Sequence, residues 1–257
     1  MNNYPAGIFD SGVGGLSVWQ EIDQLLPCES IVYYADNANC PYGEKTQAEV
    51  TALSENAVRF LLSKKCKLIV IACNTATSMA IDTLRANFDL PIIGIVPAIK
   101  PAATNSKTGV IAILATTGTL QSRKFNETRE KYAGQTEVIL VEANDLVGIV
   151  EQGLQNTPQA EAALRRHLDP LMKRNIDHIV LGCTHFPFLI DDIRKITGNS
   201  VILENPAAAI AKRTEYILQK EKICASPNNK KQVEFYASGN IDLLQKFQLR
   251  IAKKLIN

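Results

Sequence analysis

The sequence predicts an α/β protein with largely parallel sheets, built from two similar halves. Apolar runs of strand length alternate with helical segments along the whole chain, as in folds made of repeated strand–helix units. Several of these runs lack polar alternation, which indicates strands buried on both faces of a parallel sheet. Two strand-end segments also recur at a similar distance: Cys183 follows Cys73 by 110 residues, and Thr117 follows Ser11 by 106. Such a repeat indicates an internal duplication.

The first element is a short strand from Ala6 to Phe9, followed by a glycine-rich turn and a helix from Leu16 to Leu26. The turn, DSGVGG from Asp10 to Gly15, presents backbone N–H groups that suit an anion. It is not a dinucleotide fingerprint, because Ser17 takes the place of the last glycine, and it is not a Walker loop. We expect a carboxylate here; a tight turn without a ligand is the alternative.

The second strand, from Ser30 to Tyr34, leads into a polar loop that extends to Gly43 and contains Asp36 and Tyr42. Loops that follow strands carry function in open α/β sheets. After this loop, TQAE from Thr46 to Glu49 predicts a capping box, and the helical spacing of the next apolar residues predicts a core-facing helix.

The segment from Leu68 to Met79, LIVIACNTATSM, is central to the first half. An apolar strand runs into Cys73, and a helix is predicted from Ala76 to Asn87 with Asn74 or Thr75 as its N-cap. A thiol at a helix N-terminus is expected to have a lowered pKa. A buried structural cysteine is the alternative. The matching cysteine at the end of the strand in DHIVLGCTHFPF argues against that alternative.

The remaining elements continue the same rhythm. We predict strands at 90–97, 110–114, 138–141, 201–203 and 233–237, and helices at 144–154, 158–172, 206–218 and 241–255. Glu151 lies on the first of these helices, and a lone helical glutamate is typical of solvated surface. Five candidate residues follow strands, where α/β sheets bind ligands: Asp10, Asp36, Cys73, Thr117 and Cys183.

Composition and charge exclude several functional classes. A formal net charge of +2 argues against electrostatic capture of nucleic acid or membrane. Six cysteines without framework spacing do not indicate a disulfide scaffold. No apolar run reaches the roughly 20 residues that a membrane helix needs. The start MNNYPAGIF lacks the regions of a signal peptide, so we expect a cytoplasmic protein.

The two cysteines limit the chemistry. A metal site built on them needs further clustered ligands, and the C-x-x-C spacing that would supply them is absent, so no metal is expected. A thiol hydrolase with Cys183 as nucleophile and His185 as base leaves Cys73 without a role. Two equivalent acid–base groups across a cleft suit another task, in which a proton leaves one face of a carbon and returns to the other. That reaction inverts a stereocentre.

Seven motifs spread over nearly the whole chain carry a family resemblance. They are FDSGVGGLSV (9–18), YYADNANCPYG (33–43), ACNTATS (72–78), GIVPAIKPA (94–102), LATTGTLQS (114–122), DLVGIVEQG (145–153) and GCTHFPFL (182–189). Together the motifs resemble the glutamate racemases of the aspartate/glutamate racemase family.

The resemblance implies the architecture and the reaction. It implies two pseudo-symmetric α/β domains with the active site in the cleft between them, and with the repeat it predicts domains at 1–97 plus 207–257 and at 98–206. The implied reaction is a cofactor-independent, two-base interconversion of L-glutamate and D-glutamate, which supplies D-glutamate for peptidoglycan synthesis. Cys73 would deprotonate D-glutamate, and Cys183 would deprotonate L-glutamate.

The resemblance also implies the other site residues. Asp10 would assist Cys73, His185 would assist Cys183, and Asp36 and Glu151 would be further acidic residues near the site. The implied substrate contacts are Asp10, Ser11, Tyr42, Gly43, Asn74, Thr75, Thr117, Thr184 and His185. We expect a homodimer without nucleic-acid or membrane partners. Members activated by a cell-wall precursor carry a longer leader than the six residues before Gly7, so we do not expect that regulation. A racemase acting on aspartate and a catalytically silent protein that binds acidic ligands are the alternatives.

Overall fold

The computed structural model describes residues 1–256, with the side chains of residues 1–249 and 251. Its elements follow one another as β1 (Ala6–Asp10), α1 (Leu16–Leu25), β2 (Ile31–Ala35), α2 (Gln47–Ser63), β3 (Leu68–Ile71), α3 (Asn74–Asn87), β4 (Ile92–Gly94), α4 (Ile99–Asn105), β5 (Val110–Ala115), α5 (Thr117–Gln121), α6 (Arg123–Ala133), β6 (Glu137–Glu142), α7 (Asp145–Glu151), α8 (Pro158–Met172), β7 (His178–Leu181), a 3-10 turn (Phe186–Leu189), α9 (Ile190–Thr197), β8 (Ile202–Glu204), α10 (Ala207–Lys220), β9 (Val233–Ala237) and α11 (Ile241–Ile256).

Two parallel sheets form the framework, which confirms the predicted fold class. The strand order is β4-β3-β1-β2-β9 in the first sheet and β6-β5-β7-β8 in the second. Every pairing between these strands is parallel. The inner strands β3 and β7 are buried along their whole length, as their unbroken apolar sequences predict.

The last part of the chain returns to the first sheet. Strand β9 pairs with β2, and helix α10 packs against α1, whereas β5 to β8 all belong to the second sheet. The proposed domain boundaries, 1–97 plus 207–257 and 98–206, stay a prediction. Asn257 lies outside the described residues.

Local signals account for some helix starts and miss others. The capping box is confirmed, because the Thr46 N–H donates to Glu49 Oε2 at 2.8 Å and the Glu49 N–H donates to Thr46 Oγ1 at 3.3 Å. Helices α5 and α6 were not predicted. In α6 only Phe125 is buried, so its sequence carries no apolar stripe. None of the described helices is long and apolar enough to cross a membrane.

A buried ion pair joins four chain segments at the edge where the strands of the first sheet begin. Lys67 Nζ lies 2.5 Å from Glu29 Oε2, and both side chains are almost fully buried. Lys67 Nζ also donates to the carbonyl oxygen of Asn2 at 2.6 Å, and Glu29 Oε1 accepts the N–H of Ala225 at 2.6 Å. The pair therefore links the N-terminus, the starts of β2 and β3, and the segment after α10.

We expect Lys67→Met to lower the free energy of unfolding by about 3–5 kcal/mol, because Glu29 would keep a buried charge without its partner. Urea unfolding followed by circular dichroism measures this loss. The Lys67→Met/Glu29→Gln variant removes both charges and should recover much of it. Equal losses in the single and double variants would show that packing, rather than charge, is responsible.

Candidate active site

The residues that follow the strands of both sheets surround one small cavity. Its volume is about 10 Å³, which is room for about one water molecule. Both predicted cysteines lie on its wall. The cavity is lined by Ser11, Pro41, Tyr42, Gly43, Cys73, Asn74, Thr75, Thr116, Val147, Cys183, Thr184 and His185.

Cys73 lies between strand β3 and helix α3. It is itself the N-cap of α3, because its backbone is extended and its Sγ accepts the N–H of Ala76 at 3.4 Å. The prediction of Asn74 or Thr75 as cap is therefore wrong, since both are already helical. Cys73 Sγ also lies 3.6 Å from Ser11 Oγ, on the turn after β1.

The Cys73 thiol is less acidic than its position at a helix N-terminus predicts. Burial raises its pKa to about 12, and the negative charge of Asp10 adds to this. The hydrogen bonds from Ala76 and Ser11 lower the pKa, but by less than burial raises it. Cys73 is therefore a protonated thiol at neutral pH.

On the other side of the cavity, three side chains form a hydrogen-bonded line. Cys183 Sγ lies 3.5 Å from His185 Nδ1, and His185 Nε2 lies 2.6 Å from Glu151 Oε1. The N–H of Val13 donates to the same Glu151 oxygen at 2.8 Å. Glu151 is therefore a partner of His185 and of the Val13 backbone in the other half of the chain, not the solvated surface residue that a lone helical glutamate suggests.

The His185–Glu151 contact favours an imidazolium–carboxylate pair. Burial lowers the pKa of His185, but its hydrogen bonds with Cys183, Cys40 and Glu151 outweigh burial and raise the pKa well above its usual value. Burial raises the pKa of Glu151, but the hydrogen bond and charge of His185 outweigh it and lower the pKa. Both shifts indicate that a positive charge lies close to Cys183.

Asp10 joins the two halves behind the cavity wall. Its Oδ1 accepts the N–H of Gly12 at 2.8 Å, and its Oδ2 accepts the hydroxyl of Thr184 at 3.0 Å. Burial raises the pKa of Asp10, and the charge of His185 offsets this only in part. Asp10 thus lies next to the Cys73 side of the cavity while it holds the turn that follows Cys183.

The glycine-rich turn after β1 holds a carboxylate that belongs to the protein itself. The Val13 N–H binds Glu151, and a Cβ atom at Gly12 would collide with the Glu151 carboxylate. A Cβ atom at Gly14 would lie 2.6 Å from both Thr184 Oγ1 and His185 Nδ1. The glycines of this turn therefore make room for side chains of the other half.

Asp36 lies behind the cavity wall and holds Tyr42. The Tyr42 hydroxyl donates to Asp36 Oδ2 at 2.6 Å, and Asn39 Nδ2 donates to both carboxylate oxygens at 3.0 and 3.1 Å. Tyr42 lines the cavity and Asp36 does not. Asp36 therefore positions Tyr42 at the cavity wall.

Thr116 lines the cavity, whereas Thr117 does not. The Thr117 hydroxyl donates to Glu142 Oε2 at 3.1 Å and accepts from Asn144 Nδ2 at 2.8 Å. Thr116 Oγ1 lies 2.9 Å from Thr75 Oγ1, so that it links the two halves. No local signal distinguishes two adjacent threonines, because the backbone of the turn decides which one faces the cavity.

Sequence reasoning also missed Thr119 and Cys40. Thr119 Oγ1 lies 3.1 Å from Thr116 Oγ1 and completes a buried group of three hydroxyls with Thr75. Cys40 stands in the loop after β2, and its Sγ lies within 4.8 Å of a His185 ring nitrogen and a Glu151 carboxylate oxygen. Its position after a strand, where the other candidate residues were sought, was the available signal.

Asn74 presents an unsatisfied amide to the cavity. The residue is 2% exposed, and neither its Nδ2 nor its Oδ1 has a hydrogen-bond partner among the described residues. Buried polar groups are almost always paired, and each exception needs a reason. A bound molecule with both a donor and an acceptor would supply the partners.

The raised pKa of Cys73 predicts its reactivity. At pH 8 a thiol with a pKa of about 12 is ionised to about 10⁻⁴, so alkylation by iodoacetamide should be slow and should rise about tenfold per pH unit from pH 7 to 10. Mass spectrometry of the peptide that contains Cys73 measures the rate. A plateau below pH 9 would contradict the neutral thiol.

Comparison with known proteins agrees with the geometry. The sequence matches the family described as Asp/Glu/Hydantoin racemase over residues 13–212. It is 41% identical over 240 residues to a glutamate racemase from Herpetosiphon aurantiacus, which covers 93% of this chain and 94% of that relative.

Two solved structures have the same fold. The glutamate racemase isoform RacE1 from Bacillus anthracis matches with a TM-score of 0.87 and 33% identity, over 97% of this chain and 94% of that one. The Escherichia coli glutamate racemase, in complex with L-glutamate and the activator UDP-MurNAc-ala, matches with a TM-score of 0.86 and 33% identity, over 96% and 95% of the two chains. With this family match over most of its length, the chain belongs to the aspartate/glutamate racemase family, as its motifs predicted.

Proposed function

We propose that this chain interconverts L-glutamate and D-glutamate without a cofactor, with Cys73 and Cys183 as the two acid–base groups. One observation carries the proposal: the two thiols, which lie 110 residues apart in the sequence, share one small cavity and have separate hydrogen-bond partners. A single thiol nucleophile would not need the second cysteine. Two thiols supply one acid–base group for each face of a carbon.

In the direction from L- to D-glutamate, the Cys183 thiolate removes the α-proton. The imidazolium of His185, held by Glu151, stabilises this thiolate before the transfer. The Cys73 thiol then gives its proton to the opposite face of the carbanion. The turnover leaves Cys183 protonated and Cys73 as a thiolate, and the reverse direction starts from that state.

The substrate supplies charges that the cavity needs. Its ammonium group would lower the pKa of the Cys73 thiol by placing a positive charge close to it. The Asn74 amide would accept from the ammonium through Oδ1 and donate to a carboxylate through Nδ2. The N-terminus of α3 adds partial positive charge where negative charge develops on the α-carboxylate during proton removal.

Glutamate is the proposed substrate because the similar proteins are glutamate racemases and one of them is described in complex with L-glutamate. D-glutamate would then enter peptidoglycan synthesis. The expected homodimer and cytoplasmic location belong to this proposal, and light scattering of the purified protein tests the dimer.

Proton exchange in heavy water tests the proposal and its alternatives. After dialysis against a chelator, the protein should exchange the α-proton of both glutamate enantiomers and invert their optical rotation, while L-aspartate stays unchanged. Inversion of aspartate alone would favour an aspartate racemase. Binding of glutamate without exchange would favour a silent binding protein, and activity that needs added zinc or pyridoxal phosphate would refute the mechanism.

Variants of each cysteine alone distinguish which thiol serves which face of the α-carbon. Cys73→Ala should lower racemisation about 10²- to 10⁴-fold in both directions, because each direction uses both groups. It should still exchange the α-proton of L-glutamate slowly with retained configuration, while D-glutamate stays inert, and Cys183→Ala should show the mirror result. Proton NMR with each enantiomer gives both rates.

Cys66→Ala is the matched control for these variants, because this buried cysteine precedes β3, at the opposite end of the strand from Cys73. It should keep the parental rate. Faster exchange of D- than of L-glutamate by Cys73→Ala would reverse the facial assignment. Near-parental racemisation by both single variants would rule out the two-thiol mechanism.

Thr116 and Thr117 make a second matched pair. Thr116→Val removes a hydroxyl from the cavity wall and should raise KM about tenfold or more, which is the effect of losing one hydrogen bond to a charged ligand. Thr117→Val should change KM less than about twofold, because its hydroxyl bonds to Glu142 and Asn144 outside the cavity. Initial-rate kinetics with L-glutamate measures both, and a larger effect at Thr117 would contradict this assignment.

A further inference from the structure

Three side chains suited to binding a metal ion meet beside the cavity. Cys40 comes from the loop after β2, Glu151 from the end of α7 and His185 from the turn after β7. The Cys40 sulfur, a Glu151 carboxylate oxygen and a His185 ring nitrogen all lie within 4.8 Å of one another. Among the described residues this is the one cluster of three such groups at that distance. The absence of C-x-x-C spacing could not reveal it, because the three ligands come from distant parts of the chain.

The donor set is the one that zinc prefers. Thiolate, imidazole and carboxylate are its usual protein ligands, and three of them with one open position form a common site. Zinc bond lengths of about 2.0–2.3 Å place tetrahedral ligand atoms about 3.3–3.8 Å apart. His185 Nε2 and Glu151 Oε1 are 2.6 Å apart and all three ligand atoms lie within 4.8 Å of one another, so side-chain shifts of about 1 Å would bring them to zinc distances.

The surroundings of the cluster hold its ligands in place. The Val13 N–H orients the Glu151 carboxylate at 2.8 Å, and the hydrogen bond between His185 Nδ1 and Cys183 orients the ring so that Nε2 faces the cluster. Such outer hydrogen bonds fix the ligands of natural metal sites. Cys40 and Glu151 are only partly buried, which gives an ion access from solvent.

We propose that Cys40, Glu151 and His185 form an inhibitory binding site for a thiophilic divalent cation such as Zn²⁺. Binding forms bonds from the metal to Cys40 Sγ, His185 Nε2 and a Glu151 oxygen. It releases to solvent the thiol proton of Cys40 and the proton that lies between His185 and Glu151. The binding site stands on this cluster alone, and the inhibition rests on the proposed racemase function.

Inhibition follows from the position of the metal. With the metal on Nε2, His185 can no longer form the imidazolium–Glu151 pair that stabilises the Cys183 thiolate. Each turnover uses Cys183 once, as base in one direction and as acid in the other. The metal therefore lowers the rate in both directions.

Cobalt absorption tests binding without any measurement of activity. Co²⁺ is titrated into the Cys73→Ser/Cys183→Ser variant, which removes the thiols of the proposed mechanism. We expect one equivalent to bind, with a thiolate-to-cobalt charge-transfer band and the visible bands of a tetrahedral site. Cys40→Ser in the same background should abolish the charge-transfer band and weaken binding at least about tenfold. Cys28→Ser is the matched control, because Cys28 is hydrogen-bonded to the carbonyl of Pro227 and is not part of the cluster. It should leave the band intact.

Zinc inhibition of the protein with its active-site thiols intact tests the consequence. Racemisation by the parent should fall with added Zn²⁺ and return with chelator. The inhibition constant of Cys40→Ser, measured against its own zinc-free rate, should rise at least about tenfold. Circular dichroism confirms that this variant is folded.

The outcomes separate the two proposals. A missing cobalt band in the Cys73→Ser/Cys183→Ser background, or one that survives Cys40→Ser, overturns the site. A cobalt band without zinc inhibition overturns the inhibitory role. A parent that neither exchanges nor inverts glutamate refutes the proposed function, while the cobalt band still decides whether the metal site exists.

Discussion

Two hydrogen bonds between the halves of the chain set the geometry of the whole site. The Thr184 hydroxyl donates to Asp10, and the Val13 N–H donates to Glu151. Asp10 is a buried carboxylate and Glu151 a partly buried one, and such groups are costly without partners. Satisfying them aligns the carboxyl ends of β1 and β7, and the thiols that follow β3 and β7 then reach the same cavity. The register between the two sheets is thus specified by electrostatics as well as by apolar packing.

Both cysteines follow inner strands of their sheets, but the charges around the two thiols differ. Cys73 lies near the carboxylate of Asp10 and the hydroxyl of Ser11, whereas Cys183 lies against the ring of His185. A negative neighbour disfavours a thiolate and a positive neighbour favours one. Two identical side chains at matching strand ends therefore have different electrostatic surroundings. This difference suits a reaction in which one thiol begins as acid while the other begins as base.

The fold and the positions of both cysteines could be predicted from local signals in the sequence, whereas Glu151 and most other site residues were implied only by the family resemblance. Continuous apolar runs specified β3 and β7, TQAE specified the start of α2, and the strand ends located both cysteines. What failed depended on tertiary context. Helix α6 buries one residue, so periodicity could not reveal it. The pKa of Cys73 is dominated by burial, which a helix N-terminus alone does not reveal. The choice between Thr116 and Thr117, and the approach of Cys40 to His185, are fixed by loop conformation.

Because Gly12 and Gly14 lack Cβ atoms, substitutions in the first half of the chain depend on those in the second half. The space that these atoms would fill holds Glu151, His185 and Thr184, which come from more than 130 residues further along the chain. Alanine at either glycine would be tolerated only if the side chain that it faces, Glu151, Thr184 or His185, became smaller at the same time. That change would remove the groups that hold the thiols. The two halves could therefore diverge only as a matched pair. The first turn and the segments that carry Glu151, Thr184 and His185 form one epistatic unit despite their distance in the gene.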